Sequence, residues 1–117
     1  MILTGLELEH FRNYAHLAAE FDPRVNLIYG ENAQGKTNLL EAAAYLSLAK
    51  SHRARYDREM IQLDAPEATV RGAVQSRERT FTLEARLIRG RGRQLWSNGV
   101  RLKTAGALAG ILTTVLF

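Results

Sequence analysis

Cysteine is absent from the 117 residues. A disulfide framework is therefore excluded, as is any thiolate-bound zinc or iron–sulfur centre, and the chain suits a reducing compartment. Long apolar runs are missing as well. No stretch approaches the ~18 residues that a membrane span needs, and Glu7 and Glu9 fall where a signal peptide would carry a basic and then an apolar segment. No membrane association and a cytoplasmic location are the expectation. The three histidines, His10, His16 and His52, are scattered along the chain without the spacing or carboxylate company of a metal site. Internal repeats and low-complexity tracts are also lacking.

What remains is ordinary globular material, 46% hydrophobic and 24% charged, enough for one small core. The net charge of +4 is unevenly spread. Residues 1–50 hold 4 basic and 6 acidic side chains, while residues 51–117 hold 12 and 6, so the two parts carry −2 and +6. A basic segment points to a polyanionic partner or to a solvated face.

Strand-like alternation runs through residues 2–9, with Thr4, Leu6 and Leu8 on one face and Gly5, Glu7 and Glu9 on the other; Leu3 breaks the pattern. The apolar run 25–29 reads as a buried strand, and 37–49, rich in Leu, Ala and Glu without Gly or Pro, as a helix. A short helix over 58–63 ends at Asp64-Ala65-Pro66. Strands are then predicted at 68–74, 80–88, 94–97 and 100–103, with Asn98-Gly99 as a two-residue hairpin turn. These strands suggest an antiparallel meander. Residues 105–109 read as a short helix capped by Thr104, and 111–117 as one more buried strand, so the chain looks cut from something longer.

Between the second strand and the main helix lies Gly30-Glu31-Asn32-Ala33-Gln34-Gly35-Lys36-Thr37, a full match to the phosphate-binding P-loop G-x-x-x-x-G-K-[ST]. Gly30 and Gly35 let the backbone turn tightly and approach phosphate oxygens. The amides from about Ala33 to Thr37 converge on those oxygens at a helix start, whose unpaired N–H groups and dipole favour an anion. Lys36 places a full positive charge at the β- and γ-phosphates, and the Thr37 hydroxyl is a ligand for Mg2+. Four fixed positions match by chance on the order of a few times in a thousand chains of this length. Lys36 and Thr37 are thus the candidate catalytic pair, with Mg2+ on Thr37, and the nucleotide site comprises Gly30, Glu31, Asn32, Ala33, Gln34, Gly35, Lys36, Thr37 and Asn38. The apolar run ending in Asp or Glu that a P-loop ATPase uses to hold magnesium is not found. Met60-Ile61-Gln62-Leu63-Asp64 comes nearest and is interrupted by Gln62. These 117 residues alone are accordingly expected to show no ATP turnover.

Weaker candidates surround the loop. Phe11-Arg12-Asn13-Tyr14 follows the first strand, where Arg12 and Asn13 are either nucleotide contacts or an ordinary turn. Ser51-His52-Arg53-Ala54-Arg55 and Arg89-Gly90-Arg91-Gly92-Arg93 are basic stretches that either meet DNA phosphate or are solvated loops. Trp96 reads as a packing residue.

Together these segments resemble the amino-terminal part of the RecF family of bacterial DNA replication and repair proteins. The resemblance is carried by Leu6-Glu7-Leu8, Phe11-Arg12-Asn13-Tyr14 and Val25-Asn26-Leu27-Ile28. It continues through Gly30 to Thr37, Asn38-Leu39-Leu40-Glu41-Ala42 and Ala49-Lys50-Ser51-His52-Arg53. It spans the chain and is dense up to Ile61. It implies an α/β P-loop NTPase of the ABC class, similar to SMC heads: a partial ATP-binding half-lobe over 1–117, with a strand–P-loop–helix core and an antiparallel β meander. It also implies ATP and Mg2+ as cofactors, an ATP-dependent homodimer, and binding to single- and double-stranded DNA at gaps. Cooperation with RecO and RecR to load RecA, and a part in the SOS response to DNA damage, belong to the same expectation. Arg12 and Asn13 would lie beside the nucleotide, and Arg53 with Arg55 would face DNA. An SMC-like head for chromosome maintenance and a nucleotide-binding module without turnover are the alternatives.

Overall fold

A computed structural model describes residues 2–20, 33–48, 54–75 and 80–104. The predicted strands at 25–29 and 111–117, and the helix at 105–109, lie outside them. The meander is present and larger than expected. Among the described residues six strands form one sheet in the order β2-β1-β3-β4-β5-β6. They are β1 (Ile2–Phe11), β2 (Tyr14–Glu20), β3 (Glu67–Gln75), β4 (Thr80–Ile88), β5 (Gly92–Ser97) and β6 (Val100–Leu102), each antiparallel to its neighbours. The helix α1 (Ala33–Leu48) lies on one face, and a short 3-10 helix (Asp57–Met60) precedes β3.

Alternation decides which face is covered. Leu6, Leu8, Val70, Val74, Leu83, Ala85, Leu87 and Leu95 are buried together with Ala42, Ala43, Tyr45 and Leu46 of α1 in one core. Residues of opposite parity, Glu7, Arg71, Glu84, Trp96 and Arg101, form a transverse row of neighbours across β1, β3, β4, β5 and β6 on the other face. There Arg71 pairs with Glu7 and Glu84, and Arg86 also reaches Glu84. Trp96 belongs to this polar face, half-buried, with the Arg86 and Arg101 guanidinium carbons 4.9 and 5.5 Å from its ring centre. β5 parity places its packing outside the core, against these two arginines. A shift of register between Leu3 and Gly5 explains the Leu3 exception, since the bulge turns Leu3 to the helix side, where it packs against the core.

Turn chemistry closes the hairpins. Asn98 and Gly99 both have positive φ, 51° and 79°, as a two-residue hairpin turn demands. The Asn98 side-chain oxygen accepts from the Thr82 amide at 2.9 Å. The short helix is tighter and earlier than the predicted 58–63, because Ile61 leaves the helical region to pair with Phe11.

Candidate functional site

The P-loop supplies the starting point of α1. The helix begins at Ala33, four residues before the expected start, so the backbone from Ala33 to Thr37 forms its opening turns. The first four amides of a helix have no partner within it, which gives this segment the donors that an anion requires. Gly30, Glu31 and Asn32 lie outside the described residues, as do the side chains of Ala33, Gln34, Lys36 and Thr37. Arg53 is also outside them, while Arg55 is exposed, its guanidinium carbon 5.4 Å from the Tyr56 ring centre. Arg58 covers the same ring at 4.5 Å.

Arg12 and Asn13 come to the flank of α1, at Glu41 and Asn38, just beyond the P-loop residues. They form the two-residue turn between β1 and β2, flanked by the Phe11–Tyr14 pair. From this turn Arg12 donates from Nε and Nη2 to the two Glu41 oxygens at 2.8 and 2.9 Å. Glu41 is 0% exposed. The pair holds the Arg12 guanidinium above its ordinary pKa, through the hydrogen bond to Glu41 opposed by burial. One step along the turn, the Asn13 side-chain oxygen accepts from Asn38 at 2.7 Å. Asn38, next to Thr37, is 2% exposed. The turn is braced from below as well: the Arg12 amide donates to the Met60 carbonyl at 2.8 Å and the Gln62 amide to the His10 carbonyl at 2.7 Å. Glu41 is the site residue that sequence reasoning misses, because helix propensity alone accounts for a glutamate at that position. A carboxylate interrupting the otherwise apolar run 39–46 is the available signal.

A second polar link joins α1 to the sheet. The Tyr45 hydroxyl donates to Asp57 at 3.4 Å and accepts from Arg93 at 3.3 Å. Burial is the main force pushing the Tyr45 phenol from its ordinary value of 10 up to about 12, against the Arg93 hydrogen bond. A proton held more tightly in the folded state than in the unfolded one stabilises the fold fully below the unfolded value. That stability is lost as pH rises through the folded value, so the window is roughly pH 10 to 12 and the loss roughly 2–3 kcal/mol. Urea midpoints at about pH 8 and about pH 11 should therefore differ more for the wild type than for Tyr45→Phe, which costs about 1 kcal/mol at the lower pH. An equal alkaline loss in both proteins would rule out Tyr45 as its source.

Arg93 is thus a structural residue, and so is Arg89, which donates to the carbonyls of Ala65 at 2.8 Å, Gln62 at 3.3 Å and Ile61 at 3.5 Å. Arg89, Arg91 and Arg93 are all exposed, as the solvated-loop reading of the 89–93 stretch expects, but Arg89 and Arg93 are also bonded to the framework. Cross-strand pairing also gives His16 the company that its sequence neighbours do not. Ligand atoms of Glu7, Glu9 and His16 lie within 4.8 Å of one another, exposed or half-exposed, with Glu7 already bonded to Arg71. No described helix is long and apolar enough to cross a membrane.

Known proteins agree with this architecture. The AAA domain family matches residues 5–106. The DNA replication and repair protein RecF of Halalkalibacterium halodurans is 42% identical over all 117 residues, which correspond to 31% of its length. That of Symbiobacterium thermophilum is 44% identical over the same span, again 31% of its length. The chain thus spans about a third of the length of the relatives it matches. A solved structure of the recombination mediator protein RecF with ATP superposes with a TM-score of 0.86 at 36% identity, covering 93% of this chain and 30% of that one. The SMC head domain from Thermotoga maritima shares the fold at a TM-score of 0.72 and 21% identity, over 94% of this chain and 41% of that one.

Proposed function

The chain belongs to the AAA domain family, and from that premise we propose that it is the ATP-binding lobe of a RecF-like DNA repair ATPase. The observation that carries the reading is the unbroken P-loop from Gly30 to Thr37 running into the first turns of α1. A solved RecF structure of the same fold contains ATP. In this reading the amides of residues 33–37 and Lys36 hold the phosphates, Thr37 holds Mg2+, and Arg12, Asn13 and Asn38 line the nucleotide on the β1–β2 side. Residues 1–117 form part of one lobe, and the whole protein dimerises around ATP and hydrolyses it slowly. Gapped DNA, with RecR and RecO as partners and RecA as the protein finally loaded, is the context proposed for it in the cytoplasm.

Calorimetric titration with ATP in the presence of Mg2+ tests the nucleotide part. DNA binding is tested by neutralising Arg53 and Arg55 together in the full-length protein. Binding to gapped DNA should weaken alike for any sequence. The log–log salt dependence should flatten by roughly one to two units, at about 0.9 counterion for each phosphate no longer neutralised. Arg91→Ala is the control, because Arg89 is bonded to three carbonyls and its loss would disturb the fold. DNA affinity that follows Arg91 and not Arg53 with Arg55 would place the DNA face at the other turn.

A further inference from the structure

Glu41 has no place in the P-loop signature, yet it is fully buried one helical turn beyond it. A carboxylate that is 0% exposed is costly unless fully paired, and a buried ion pair is commonly no more stabilising than apolar residues of similar volume. An apolar side chain at 41 would serve the core as well. The pair is therefore not accounted for by stability alone.

Its geometry points in one direction. Both Glu41 oxygens are taken by one guanidinium, which fixes that planar group in orientation as well as place. The guanidinium hangs from a residue with φ of 53°, a left-handed conformation that a non-glycine residue adopts at a cost of about 1–2 kcal/mol. Positions 37 and 41 are one helical turn apart on the same face of α1, as are 38 and 41. The Asn13–Asn38 bond at 2.7 Å and the Arg12–Glu41 pair therefore bolt the turn to the helix alongside Thr37. Arg12 keeps Nη1 unused among the described residues, and its side chain is 21% exposed.

We infer that Glu41 is a positioning residue for nucleotide binding: it acts through Arg12, holding the guanidinium ready one helical turn beyond Thr37. This rests on the P-loop being the nucleotide site, as proposed above. An arginine already ordered by Glu41 does not have to be ordered by the ligand, a saving in entropy that corresponds to roughly tenfold in affinity.

The test is a cycle of ATP titrations by calorimetry, each variant also being melted without ligand. Glu41→Gln and Arg12→Gln are each expected to weaken ATP binding roughly tenfold, and the double variant no further, because both act through one group. Glu41→Asp, which keeps the charge, should recover part of the loss. Melting temperatures report structure separately. If Glu41→Gln melts earlier but binds ATP as the wild type does, or if the two losses add, Glu41 is only structural and the inference is overturned. Should Glu41→Gln fail to fold, Arg12→Lys decides. It leaves Glu41 a counter-charge but cannot form the two-pronged pair, so the same tenfold loss is expected, and unchanged affinity overturns the inference. Failure of the underlying reading looks different: the wild type would then bind ATP no better than Lys36→Ala, and the positioning role would fall with it.

Discussion

Lys36→Ala should abolish ATP binding while leaving the unliganded protein as stable as before or slightly more so. The opposite signs follow from where position 36 sits. It lies in the first turn of α1, which has no acidic residue. A cation there opposes the helix dipole, at a cost of about 0.3–1 kcal/mol. A residue that disfavours its own helix is accounted for by an anion that the helix receives. Removing one member of a desolvated charge pair costs roughly 2–5 kcal/mol, and about 2.7 kcal/mol is a hundredfold in affinity. In thermal melts the wild type should be stabilised by ATP, by about 2.7 kcal/mol when the ligand stands at a hundred times its dissociation constant. The variant should show no such shift. Comparable ATP affinity in the two proteins by calorimetry would sink the P-loop assignment.

The P-loop is legible because its chemistry is local, with eight contiguous residues carrying the whole signal. The strands from 68 to 103 are legible for a similar reason, since large apolar residues alternate there with charged ones, as in Phe81, Leu83 and Leu87 against Glu84 and Arg86. The strand β2 is not. Its sequence, Tyr-Ala-His-Leu-Ala-Ala-Glu, is half-exposed and has three alanines of weak strand preference. What makes it a strand is its pairing with β1, from Gly5↔Glu20 to Phe11↔Tyr14. Gly35 argues against helix before position 37, yet α1 begins at Ala33. The Arg12–Glu41 pair spans 29 positions and the Arg89 bonds 24 to 28. Neither leaves a periodic trace, so a basic stretch that looks solvated in sequence contains two arginines that belong to the framework.

The seating of α1 depends on a missing side chain, and the largest stability effect is expected there. A Cβ on Gly72 would stand 2.5 Å from Leu46 Cδ1 and 2.9 Å from Leu3 Cδ1. Both are methyl ends, but Leu46 is 0% exposed within the core, so it has nowhere to turn without displacing neighbours. Overpacking of this kind costs about 1–3 kcal/mol, against which the relief of replacing glycine in a strand offsets roughly 0.5–1 kcal/mol. Gly72→Ala should therefore lose about 1–2 kcal/mol, and Gly72→Val, with two further methyls, more than that. Since 1 kcal/mol moves the melting temperature by about 4 °C or more in a chain of this size, thermal unfolding resolves both. Leu46→Ala alone should cost about 2–5 kcal/mol through the cavity it leaves opposite Gly72. Combined with Gly72→Val, that cavity is partly refilled from the sheet side, so the double variant should be more stable than the sum of the two losses predicts. Strict additivity would mean that the helix does not rest on Gly72. Non-additivity, together with weaker ATP binding by Gly72→Val below its melting point, would tie the height of α1 above β3 to the placement of the phosphate-binding amides at its start.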